Sequence, residues 1–431
     1  MVAAYPLFYF FKGTRDMFHK EHLQNGMPVV MEPLKNMRSV VLGIWVKVGS
    51  RYEPAEQNGI SHFLEHMFFK GTKKRTTKDI AVEIDSLGGE LNAFTSRETT
   101  TFYVKVLDEY LEKGLELLTD IFLNSTFPED DIEKEKKIIK EEIKMVEDTP
   151  DDYVHDLSNQ TIWGQTGLGQ PVLGRRETIR SFTRDDLLHH IRKYYGTKDI
   201  VASCAGNFDH EHLLSMLNKH LGNLRRGSEP ERGIPPEYKN RAEVHSKELS
   251  EAHLCLTLKG LPQASKDRFA LFSLNTILGA GVSSRLFQKI REERGLAYAI
   301  YSFIASYLDT GIWGVYAGVS RKRVQEVIEL ILNELYCLKD TITEKELQRA
   351  KNQMKGNIML GLESTSSRMN NLARQEIYYG RYSSPKEIMN EIDSITLMQI
   401  RELAEQLIAK EHLSLTVYGP VQGEELKGIF S

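Results

Sequence analysis

Residues 59–71, GISHFLEHMFFKG, hold His62, Glu65 and His66 in the pattern H-x-x-E-H. On a helix, His62 and His66 lie one turn apart, so both imidazoles leave the same face. That geometry suits two nitrogen ligands on one zinc ion. Glu65, three positions after His62 and one before His66, falls where a carboxylate beside a metal takes a proton from water. The order mirrors the commoner H-E-x-x-H helix. A solvated surface helix would explain the same residues more simply. The flanks oppose that reading, because Ile60, Phe63, Leu64, Met67, Phe68 and Phe69 are apolar. Two histidines and a glutamate on a buried helix need partners or a metal.

A second stretch places carboxylates where they are costly. After Pro128, residues 129–147 form the longest helical pattern in the first half, dense in Lys and Glu. Most of these charges read as a solvated face with i,i+4 pairs. Glu135 and Glu142 differ: they fall between Ile132, Ile139 and Val146 in steps of three and four, on the apolar face. Each needs something to pair with. His155, and the pair His189 and His190, have no ligand spacing around them and read as surface or packing residues.

The elements that must position these groups follow from local signals. Residues 18–34 read as strand, Asn25-Gly26 turn, strand. Residues 38–50 are strongly β-prone, and 51–57 form a polar loop. Asn58 precedes the motif helix as its cap. Thr76 and Thr77 open a helix over 78–87, closed by Gly88 and Gly89. Strands are expected at 90–95 and 100–106, and a helix at about 109–123 with Leu111, Leu115 and Leu118 at core spacing. A helix over 185–195 and a strand over 200–204 complete the first half.

With 431 residues the chain is long for one core and suggests two or more domains. Hydrophobic residues make up 41% and charged residues 27%, which is ordinary for a globular protein. A net charge of −4 gives no global sign of nucleic acid or membrane binding. Cys204, Cys255 and Cys337 are widely separated, so neither a disulfide framework nor a cysteine metal site follows. Each is expected to pack as a small apolar residue. Residues 3–11 are apolar but lack a basic stretch before them or a cleavage site after them, and are too short to span a bilayer. Met17 is expected to be the natural start, residues 1–16 an extension outside the fold, and the location cytoplasmic.

Residues 225–241, rich in Pro, Gly and charge, read as a linker near the middle. The second half then repeats the first in outline. Residues 310–317 look like 100–106, and 324–335 like the helix at 109–123. Residues 342–359 align without gaps on 127–144, which sets Ala350 against Glu135 and Asn357 against Glu142. No H-x-x-E-H occurs in the second half. The chain reads as a duplication in which only the first copy keeps metal-ligand chemistry.

These residues resemble the inverted-motif zinc peptidases of the pitrilysin/insulinase family, over nearly all of 18–420. The nearest likeness is to the short-chain branch with the mitochondrial processing peptidase β-subunit and its bacterial relatives. The resemblance implies a duplicated α+β fold of two homologous domains, each a mostly antiparallel sheet covered by helices. It implies a catalytic domain at 17–224 and a degenerate repeat without zinc ligands at 242–431. It makes Glu142, 76 positions after His66, the third ligand of one zinc ion per chain. Two His and one Glu would leave a fourth position open, as in catalytic sites. Glu135 would orient a ligand from behind. Residues 88–103 resemble the family's substrate-binding edge strand, where Asn92 and Ala93 would hydrogen-bond an extended peptide; Asn92 could instead cap a strand end. Residues 283–302 resemble the segment carrying Arg291 and Tyr298, which would bind the substrate backbone and support the tetrahedral intermediate. Arg294 competes with Arg291, with a poorer spacing.

The resemblance thus implies a zinc endopeptidase with Glu65 as general base, acting on short or unfolded peptides. Longer family members close a chamber with four homologous domains, and two are expected here. A homodimer is therefore expected, with Arg291 and Tyr298 of one subunit facing the zinc of the other. The rivals are a non-catalytic partner subunit of a processing complex and a structural zinc protein. The second leaves Glu65 without a task.

Overall fold

In the sequence SVVLGIWV, nearly every residue is apolar, with no polar alternation. A strand with that pattern must be covered on both faces. It forms β3 (Ser39–Val46), a central strand of the first sheet. The computed structural model describes residues 18–227 and 235–426. The expected start at Met17, the extension 1–16 and residues 228–234 of the linker lie outside the described residues.

The first sheet runs β1 (His19–His22), β2 (Pro28–Pro33), β6 (Ile200–Gly206), β3, β5 (Thr100–Leu107), β4 (Glu90–Thr95). The second runs β7 (Ala242–Ser246), β11 (Leu413–Gly419), β8 (Ala252–Lys259), β10 (Gly311–Val319), β9 (Ala297–Ser306). In both, one parallel pair joins an otherwise antiparallel sheet: β2 with β6, and β11 with β7. Without β1, the first order superimposes strand for strand on the second. The chain is therefore a duplicated α+β fold, two sheets each covered by helices.

Helices of the first half are α1 (Ile60–Met67), α2 (Thr77–Ser86), α3 (Leu111–Asn124), α4 (Glu129–Glu147), α5 (Pro150–Trp163), α6 (Arg176–Ser181), α7 (Arg184–Tyr194) and α8 (His210–Leu221). Those of the second are α9 (Arg268–Leu278), α10 (Val324–Thr341), α11 (Glu344–Gly361), α12 (Thr365–Tyr379), α13 (Pro385–Asp393) and α14 (Leu397–Leu407). The gapless offset that sets Ile342 on Phe127 also sets the start of α11 on that of α4, and the start of α12 on that of α5. No helix among the described residues is long and apolar enough to cross a membrane.

The two faces of β3 are buried by different halves of the chain. Val40, Leu42, Ile44 and Val46 join the core of the first half. Val41 and Trp45 point the other way, against Met369, Leu372 and Ala373 of α12. Gly43 permits that approach, because a Cβ there would stand 2.6 Å from Met369 Sδ. The exchange is reciprocal. Val154 and Leu157 of α5 pack on Cys255, Tyr316 and Tyr418 of the second sheet. Each sheet thus has one face closed by the other half's helix. Polar ties join the halves as well. Glu98 is buried between β4 and β5 and pairs with Arg51 at 2.7 Å. It accepts from the Leu308 amide at 3.0 Å and from the Tyr378 hydroxyl at 2.9 Å.

One expectation fails for a simple reason. Cys204 and Cys255 are buried in the sheets, but Cys337 is exposed on the outer face of α10. His190 packs in the interior against Tyr194 and Tyr195, while His189 is exposed.

Candidate metal centre

Helix α1 has only two turns, too few to be stable alone. Its apolar side, Ile60, Phe63, Leu64 and Met67, is fully buried in the first core. Its N-terminus is held by a residue not suspected from the sequence. Asn58 was expected to cap it; instead Gly59 occupies the cap position at φ +95°, with no side-chain bond of its own. Two short turns at Ser50–Tyr52 and Ala55–Gln57 bring the buried Glu53 carboxylate back to the helix start. It accepts from the Gly59 amide at 2.6 Å and the Ser61 amide at 2.8 Å. The Asn58 side chain is taken up elsewhere, donating to Glu53 at 3.2 Å and to the Pro171 carbonyl at 3.0 Å. Burial pushes the Glu53 carboxyl up against the pull of these amides, and it is Glu53, not Asn58, that satisfies the free amides at the helix start.

Helix α4 crosses α1 and presents Ile132, Glu135, Ile139 and Ile143 inward. The periodicity that put Glu135 and Glu142 on the apolar face is seen directly: Glu135 is buried and Glu142 half-buried. Glu142 Oε2 lies 3.7 Å from His62 Nε2 and 3.7 Å from His66 Nε2. One ligand atom from each of His62, His66 and Glu142 lies within 4.8 Å of the others. A tetrahedral zinc with bonds of about 2.0–2.1 Å holds its ligand atoms roughly 3.3 Å apart, so small side-chain movements suffice. Glu142 Oε2 is buried with no hydrogen-bond partner in the protein, as are His62 Nδ1 and Glu65 Oε2. An orphaned carboxylate oxygen, Glu142 Oε2, facing two imidazole Nε2 atoms fits a divalent cation.

The electrostatics suit that role. Burial and the neighbouring His66 push the His62 imidazole down to about 3, so it stays neutral, the form that binds metals. Burial opposes the charged form of His66, but Glu135, Glu142 and Glu65 outweigh it and raise the ring above its ordinary value. Behind the site, Glu135 Oε2 lies 3.0 Å from His66 Nδ1 and Glu135 Oε1 lies 2.6 Å from Lys70 Nζ. Burial works against the Glu135 anion, yet His66 and Lys70 hold the carboxyl below the usual range. Burial pushes Glu65 up, against the pull of Thr95 and His66. A raised carboxyl beside a metal site has the proton affinity a general base needs.

Asn92, Ala93 and Tyr298 lie on the two equivalent edge strands, and Arg291 in the turn before the second. Asn92 and Ala93 are on β4, which packs beside α1. The Asn92 side-chain oxygen accepts from the Ala93 amide at 2.8 Å. Arg291 lies in a π-helical turn, Phe287–Glu292, and Tyr298 on β9. The Arg291 guanidinium stands over the Tyr298 ring at 5.6 Å and the Phe287 ring at 4.8 Å. Tyr298 is 80% exposed. The two residues meet each other, and no contact described within the chain joins them to the His62, His66 and Glu142 group. Arg294 is exposed. On α11, Ala350 and Asn357 stand where α4 has Glu135 and Glu142, so the second half has no such acidic pair.

Comparison with known proteins agrees with this architecture. Residues 28–176 match the family "Insulinase (Peptidase family M16)", and residues 181–354 match "Peptidase M16 inactive domain". An uncharacterized zinc protease of Bacillus subtilis is 42% identical, over 92% of this chain and 97% of the relative. One from Streptomyces coelicolor is 37% identical, over 94% and 90%. The crystal structure of a protease from Helicobacter pylori superimposes with a TM-score of 0.85 at 24% identity, over 94% of this chain and 99% of that one. Duplicated fold, acid-and-imidazole cluster and full-length similarity together place the chain in the insulinase family of zinc peptidases.

Proposed function

We propose that the chain is a zinc-dependent endopeptidase for short or unfolded peptides, presequence-like segments among them. The convergence of His62, His66 and Glu142, with Glu65 on the same helix, carries this reading. Zinc, when bound, would supply an acidified water and polarise the scissile carbonyl. Glu65 takes the proton from the attacking water and passes it to the leaving amine. Asn92 and Ala93 hold the peptide as an added strand on the open edge of β4. Arg291 and Tyr298 stabilise the oxyanion of the tetrahedral intermediate. No described contact joins them to the metal group of their own chain, and in this reading they act on the site of a second copy in a closed homodimer.

Glu65→Gln tests the assignment. The variant should bind zinc as the parent does and lose peptide cleavage by at least about a hundredfold, the usual scale for a general base. Undiminished cleavage would remove Glu65 from this role. Chelator should abolish cleavage by the parent. A parent chain that binds zinc but cleaves nothing in an unfolded-peptide library would favour the rival reading, a non-catalytic partner subunit.

A further inference from the structure

The metal-binding face of His66 is backed by a chain of two contacts, and the outer member, Lys70, lies outside the H-x-x-E-H residues. After Met67 the helix tightens: the Phe69 amide donates to the His66 carbonyl at 3.3 Å, and the Lys70 amide to the Met67 carbonyl at 3.2 Å. This turn brings the Lys70 side chain against α4. Its ammonium meets Glu135 Oε1 at 2.6 Å, and the other oxygen of that carboxylate meets His66 Nδ1 at 3.0 Å. The Glu135 side chain is only 3% exposed, so water does little to fix its orientation.

We propose that Lys70 is a positioning residue for the metal centre: it anchors Glu135, and Glu135 fixes the ring and tautomer of His66. The inference rests on the zinc reading above. With Oε1 held by the ammonium, Oε2 is left to accept from Nδ1. The proton of a neutral His66 ring then sits on Nδ1, and the Nε2 lone pair faces His62 and Glu142. Charge points the same way. Glu65, Glu135 and Glu142 bring three negative charges, of which a divalent cation would balance two. Lys70 is the only Lys or Arg among the described ion pairs that touches any of the three. A neutral residue at position 70 would leave the Glu135 carboxylate free to rotate and share its acceptors.

The test uses the full-length chain with Lys70→Met and Lys70→Arg. Zinc affinity is measured by competition with a chromophoric chelator. The His66 tautomer is read from long-range proton–nitrogen correlations on 15N-histidine-labelled, metal-free protein, at a pH high enough that the ring is neutral. Lys70→Met should bind zinc about 10- to 100-fold more weakly, the range typical of lost outer partners. Its His66 should shift from the Nδ1–H form to a mixture. Lys70→Arg should restore both. Parental affinity and an unchanged tautomer in Lys70→Met would overturn the proposal. So would weakened zinc binding with the tautomer unchanged, since Lys70 would then act only on the fold. Should Lys70→Met not fold, Lys70→Gln replaces it in both measurements. A parent chain that takes up no zinc would sink the zinc reading, while the tautomer comparison would still decide the role of Lys70.

Discussion

Gly59 and Gly174 meet backbone to backbone at the start of the metal helix. A Cβ on Gly59 would stand 2.6 Å from Gly174 Cα and 2.8 Å from the Leu173 carbonyl. Gly59 also has φ +95°, a conformation that side chains resist. Neither obstacle is a flexible side chain that could swing away. Gly59→Ala should therefore cost at least about 2 kcal/mol, adding backbone strain to a steric clash. Urea unfolding checks the loss, and zinc titration should show a weaker site because the strain falls where α1 begins. A variant within about 0.5 kcal/mol of the parent, the range of harmless surface changes, would show that the contact relaxes freely.

His190 sets an acid limit on stability. It is buried on α7, with Nε2 lacking a partner in the protein, and burial pushes its imidazole down to about 3. In the unfolded chain the ring titrates near 6.5. The folded value lies below the unfolded one, so this stability is present above about pH 6.5 and lost as pH falls toward 3. At pH 5 the loss should be on the order of 2 kcal/mol. His190→Phe keeps a ring of similar size and cannot take up a proton. Relative to the parent, it should gain stability between pH 7.5 and pH 5. Equal pH slopes in the two proteins would refute the argument.

The second half has its own acid-sensitive clamp. Arg285 meets Glu346 through two parallel contacts, Nε to Oε1 at 2.8 Å and Nη2 to Oε2 at 2.9 Å. Glu346 also closes the capping box with Thr343 that starts α11. Burial opposes the anion, but Arg285 and Thr343 bring the carboxyl down to about 2. This stability is full above the unfolded value near 4.5 and is lost as pH falls toward 2. Glu346→Gln should cost on the order of 2–3 kcal/mol at pH 6, and the difference from the parent should shrink by pH 3. Denaturant midpoints at the two pH values give the comparison.

Local periodicity made part of the centre legible. His62 and His66 share a face because their spacing is one turn, and Glu135 and Glu142 stand out because they fall on the apolar stripe of α4, while only the family resemblance singles out Glu142 as the third ligand. The offset between α4 and α11 also held, because both helices begin at the same register. What escaped was set by the path of the folded chain. Glu53 reaches the start of α1 only after two tight turns, so nothing in its own neighbours marked it as a cap. The exchange of α5 and α12 between the sheets was also hidden. Met369 and Leu157 read as ordinary core residues whichever sheet they cover. Trp45 and Val41 likewise give no sign that the other half of the chain lies over them.

The proposed action across two chains makes a quantitative prediction. Tyr298 is 80% exposed on the edge strand β9, with Arg291 lying over its ring, and no described contact joins either to the metal group of its own chain. If each site draws its base from one chain and its tyrosine from the other, Glu65→Gln and Tyr298→Phe chains repair each other. Each variant alone should fall by about a hundredfold or more. After unfolding, mixing in equal amounts and refolding, half of the random dimers are mixed, and each holds one intact site of two. Cleavage should return to roughly one quarter of the parent rate, as expected for a symmetric pair exchanging subunits at random. If the groups instead act within one chain, no mixed dimer gains a complete site, and the rate stays at the average of the two variants. Mass photometry of the same samples must show a dimer; an active monomer would rule out the shared site.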